Sequence, residues 1–129
     1  MGVPASRLLI IGAMALLPSC SPPQIDIAVE NAGGRMLIRL SQDWGLIFHD
    51  REVPCVREVG LHEPGTHERT KVVWLIEAEG DVQCRDLASV IVGDVPNGWR
   101  EVVPLNVVSG QTYAIEAHGI GWGRTEARF

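Results

Sequence analysis

Apolar and polar residues alternate along most of this chain with a period of two, the pattern of half-buried strands. Ile25, Ile27 and Val29 alternate with Asp26, Ala28 and Glu30, which predicts a first strand. Residues 31–34, Asn-Ala-Gly-Gly, supply a turn, because glycine and asparagine tolerate positive φ. Residues 35–40 return with Met36, Ile38 and Leu40 on one face and Arg35, Leu37 and Arg39 on the other. Residues 44–49 form a third apolar run. Residues 52–61 carry Cys55 and are interrupted by Pro54, which predicts an edge or a bulge. Residues 71–79 place Val73 and Leu75 on one face and Trp74 and Ile76 on the other, the pattern of a central strand covered on both sides. Further strands are predicted over 87–92, over 102–108 with a break at Pro104, over 112–117 and over 123–129. Residues 62–68 and 93–99 carry the Pro-Gly and Asn-Gly chemistry of loops.

One apolar run breaks the period. Residues 8–17 follow Arg7 without a charge. Ten residues make a helix of about 15 Å, too short for a hydrocarbon core of about 30 Å. A basic start, a short apolar core and small residues at the exit read as a secretory signal peptide. The exit itself, Leu17-Pro18-Ser19-Cys20, resembles the bacterial lipobox. That resemblance implies that Cys20 is lipidated and becomes the first mature residue. It departs from the family pattern at Pro18. The competing reading is a plain secreted chain in which Cys20 is an odd thiol. A lipidated chain is anchored to a membrane rather than spanning it, since each buried methylene contributes about 0.8 kcal/mol. In lipoproteins an aspartate after the cysteine favours the inner membrane. Ser21 stands there, so the resemblance implies the periplasmic face of the outer membrane.

The expected organisation is therefore a signal peptide over 1–19, a lipidated Cys20 with a stiff spacer to 24, and one domain over 25–129. Seven or eight short strands and no helical stripe predict an all-β fold, a single small antiparallel β-sandwich. The pattern Leu105, Gly110, Tyr113, Ile115 resembles the entry to a late strand in fibronectin type III-like and transthyretin-like sandwiches. In those sandwiches the tyrosine packs at a corner and its hydroxyl bonds the backbone nearby. The spacing of Cys55 and Cys84 departs from the antibody pattern.

Composition sharpens the setting. The chain is 46% apolar, enough for a core. Removing Arg7 leaves 10 basic against 16 acidic residues, a formal charge of −6. That balance argues against a nucleic-acid partner, and no polybasic run offers itself to anionic lipid. Cys55 and Cys84 are expected to pair, because two cysteines in a small exported domain ordinarily do.

Candidate chemistry is sparse. His62, Glu63, His67 and Glu68 cluster in one expected loop and would suit a metal, with His62 and His67 as ligands. His49 and His118 would form a second group with Tyr113 and Glu116. No serine stands in a nucleophile elbow and no cysteine has a base beside it, so no enzyme and no cofactor are expected. Trp99 and Trp122 stand beside glycines in expected loops and are candidate interface residues. The expected function is a membrane-anchored envelope module that binds another protein. The alternative is a periplasmic carrier of a metal or small ligand on the His62/His67 loop.

Overall fold

A computed structural model describes residues 22–45, 51–65 and 71–129. Three expectations fall outside them: the leader with Cys20, most of the third apolar run with His49, and the loop residue His67.

The described chain is all β. Ten strands follow in order: β1 Ile25–Ala32, β2 Arg35–Asp43, β3 Arg51–Glu52, β4 Cys55–His62, β5 Val72–Ala78, β6 Arg85–Asp86, β7 Ser89–Ile91, β8 Trp99–Val103, β9 Thr112–Gly119 and β10 Gly121–Arg128. They form two antiparallel sheets. In the smaller sheet, β2 pairs with β1 on one side and with β3 and β7 on the other. In the larger sheet the order is β10-β9-β4-β5-β8, with β6 added to β4. Among the described residues no helix is long and apolar enough to cross a membrane.

The two-residue periodicity decides which side chains meet between the sheets. From the smaller sheet, Ile25, Ile38, Leu40 and Val90 point inward. From the larger sheet, Val59, Leu61, Trp74, Ile76, Ile115 and Ala117 meet them. The two inner faces bury these side chains almost completely, and this burial is the main stabilising term of the domain. The β1–β2 hairpin closes on Gly33 and Gly34 at φ 63° and 83°. Two successive positive φ angles are what a two-residue hairpin turn requires.

Four local features follow from single residues. Pro54, without an N–H, separates β3 from β4. β5 lies between β4 and β8, and Trp74 and Ile76 are buried while Leu75 on its outer side is half-buried. Cys55 and Cys84 form a disulfide with Cα atoms 5.3 Å apart, tying the start of β4 to the β5–β6 connection. Tyr113 is buried, and its hydroxyl accepts a hydrogen bond from the Val108 backbone N–H at 2.8 Å. The corner bond that the sandwich resemblance implied is therefore present in this chain.

Two loop expectations change. The strand expected over 102–108 begins earlier, at Trp99, and ends at Val103, because Pro104 has no N–H to continue the ladder. Trp99 is consequently 6% exposed and part of the core, and it offers nothing to an outside partner. The expected loop over 62–68 begins one residue late, because His62 is the last residue of β4, buried and paired with Val72.

One edge of the sandwich is drawn tight. β1 runs along β10, and a Cβ on Gly123 would overlap the Ile25 carbonyl oxygen. A Cβ on Gly121 would meet the Gln42 side chain and the Pro23 carbonyl oxygen. Glycine at both positions lets two backbones approach closer than any side chain allows.

Candidate polar site on the outer face of the larger sheet

The outer face of the larger sheet carries residues of the parity opposite to the core. On β9 these are Ala114, Glu116 and His118, and on β10 they are Trp122, Arg124 and Glu126. On β4 they are Glu58, Gly60 and His62. The register sets His118 opposite both Trp122 and Glu58, and Glu116 opposite both Arg124 and Gly60.

Glu116 is the centre of this face. Its Oε2 lies 2.7 Å from His62 Nε2 and 3.8 Å from His118 Nε2. Its Oε1 lies 3.6 Å from Arg124 Nη1. His62 Nδ1 faces the Glu63 carbonyl oxygen at 3.3 Å. Both ring nitrogens of His62 thus face oxygen atoms. Gly60 is opposite Glu116 on β4 and has no side chain, so His62 and Glu116 meet across it. The Trp122 ring lies 6.1 Å from the His118 ring, tilted by 55°. His118 Nε2 is buried and has no hydrogen-bond partner.

The space around these groups is of two kinds. A recess of about 30 Å³ lies among Glu58, His62, Leu75, Glu116 and His118. That holds a water but no organic ligand, which needs a few hundred Å³ at least. Beside it opens a broader groove of about 540 Å³, lined by Arg57, Glu58, Gln83, Cys84, His118 and Ile120. The disulfide forms part of its wall, and His118 belongs to both spaces.

The structure therefore sorts the sequence candidates. Of the second group, His118 and Glu116 lie 3.8 Å apart on one face, and His49 falls outside the described residues. Tyr113 does not join them, because it faces the core at the opposite parity. His62 leaves the expected loop group and joins Glu116. Among the described residues no group of three His, Cys, Asp or Glu is placed to hold a metal ion. Trp122 is exposed at 46% and Trp99 is buried, so the expected pair reduces to Trp122. The sequence reading missed Arg124, whose alternation with Trp122 and Glu126 signals this face. It also missed Gln42, whose place in the series 36, 38, 40 signals an inward side chain. Comparison with protein-family models, with curated proteins and with solved structures finds no match.

Proposed function

We propose that this chain is a lipid-anchored, non-catalytic binding module of a bacterial cell envelope, taking a protein partner at the groove beside Trp122. The anchor is Cys20. With Ser21 after it, the lipobox resemblance puts the domain on the periplasmic face of the outer membrane.

The observation that carries the partner reading is an exposed indole held against a prearranged polar face. Trp122 is about half exposed and lies against His118, a wall of the groove. Indoles placed this way anchor protein interfaces, because they bury a large apolar area at little entropic cost. The surrounding charges are fixed by Glu116, and the groove wall is fixed by the disulfide. A binding role also suits the chemistry present. The two ring nitrogens of His62 face the Glu116 carboxylate and the Glu63 carbonyl rather than a serine or thiol, and Cys55 and Cys84 are consumed by their bond.

The test is a photo-crosslinking residue at position 83, on the wall of the groove, in the native envelope, with identification of what is captured. A protein partner is expected, and Trp122→Ala is expected to abolish its co-purification while leaving the melting temperature unchanged. Undiminished co-purification of that partner by Trp122→Ala would overturn the assignment.

A further inference from the structure

The end of the sandwich where the chain enters carries its own exposed apolar residues. Gln42 organises this end. Its Nε2 donates to the Pro23 carbonyl at 2.8 Å and to the Ile120 carbonyl at 2.7 Å. Its Oε1 accepts from the Trp44 indole N–H at 3.1 Å. One buried amide thus gathers Pro23, Trp44 and the β9–β10 turn. Trp44 is 47% exposed and Ile120 48% exposed. Val53 is also exposed here, since Glu52 pairs with Gln42 and the Ile120 N–H donates to the Cys55 carbonyl.

The distance to the anchor is short. Cys20 stands three residues before Pro23. Three residues of fully extended chain reach about 11 Å. Pro23 is pinned to Gln42, so this end cannot move further than that from a lipidated Cys20. An indole and an isoleucine held so close to a bilayer lie within the depth of its interfacial region, where tryptophan is favoured.

We propose that this end, with Trp44 and Ile120 at its tip, rests on the lipid bilayer surface and fixes the orientation of the domain. This rests on the lipid anchor proposed above. The occupant is lipid rather than a second protein because the tether leaves so little room between this end and the membrane. The acidic balance of the chain gives no attraction for anionic headgroups, so the contact is one of indole and aliphatic side chain with an uncharged or zwitterionic interface.

The experiment uses the mature protein purified from membranes and reconstituted into phosphatidylcholine vesicles that contain lipids brominated near the headgroup end of the acyl chains. Intact mass reports the lipid on Cys20, and quenching of tryptophan emission reports depth. Trp74 and Trp99 are buried and stay unquenched. Quenching is expected in the wild type, is expected to be largely lost in Trp44→Phe, and is expected to persist in Trp122→Phe. An Ile120→Ser variant keeps the reporter indole and is expected to show weaker quenching. A lipidated protein whose quenching is the same in Trp44→Phe overturns the docking and leaves the anchor standing. An unlipidated Cys20 in a protein that does not float with vesicles overturns both.

Discussion

At position 42 a glutamine is almost fully buried because each end of its amide has a partner. A typical hydrogen bond contributes about 0.5–1.5 kcal/mol net, and Gln42→Leu removes the three that its amide makes with Pro23, Ile120 and Trp44. Urea denaturation is expected to show a loss of about 1–3 kcal/mol for this change. At position 113 the hydroxyl makes one hydrogen bond, to the Val108 N–H, while the ring packs edge-on against Phe129 at 5.5 Å. Tyr113→Phe keeps the ring and loses the bond, so the expected cost is smaller, about 1 kcal/mol. The tyrosine was legible because its neighbours resemble a known corner. Gln42 was not, because polarity alone argues for the surface and only its parity with Met36, Ile38 and Leu40 argues for the interior. The two tryptophans were indistinguishable in sequence, since each sits beside a glycine. Strand pairing separated them, putting Trp99 opposite Ala78 over the core and Trp122 opposite His118 on the outside.

At the scale of strands, alternation carried most of the reading. β1, β5, β9 and β10 lie where their period placed them, within two residues, while β2 runs three residues further than expected, through Asp43. Ends set by hydrogen bonding rather than by apolarity were harder to place. β4 runs one residue further, through His62, because that side chain finds Glu116 on a strand distant in sequence. The polar cluster on the outer face was half legible. Glu116 and His118 share a parity, and Tyr113 has the other, so sequence period alone assigns Tyr113 to the core side. The meeting with His62 needs the β4–β9 register, which alternation does not specify. Glycines mark how closely the strands approach. Gly123→Ala sets a methyl into the Ile25 carbonyl and must push β1 from β10, so a loss of about 2 kcal/mol or more is expected in thermal or urea unfolding. Gly60→Ala is expected to be milder, because its new methyl meets Leu75 Cδ1 at 3.1 Å and that side chain turns aside.

Over the whole molecule, one covalent link supplements a small core. The disulfide joins residues 29 apart, for which the chain-entropy estimate is about 3–4 kcal/mol. Replacing Cys55 and Cys84 together by serine is expected to lower stability by about that amount, measured by urea denaturation against the oxidised wild type. Exposed ion pairs such as Arg35–Asp94 and Arg51–Asp26 contribute little by comparison. A disulfide-stapled sandwich suits an oxidising space outside the cytoplasm, and the lipobox resemblance supplies the tether that would keep it there. On the proposed reading, the tether and Trp44 would meet the membrane and Trp122 would meet the partner. The measurement that tests this most directly is the intact mass of the chain extracted from membranes. The account predicts a protein that begins at Cys20 and carries the mass of acyl chains on it; a mature chain with an unmodified amino terminus would contradict it.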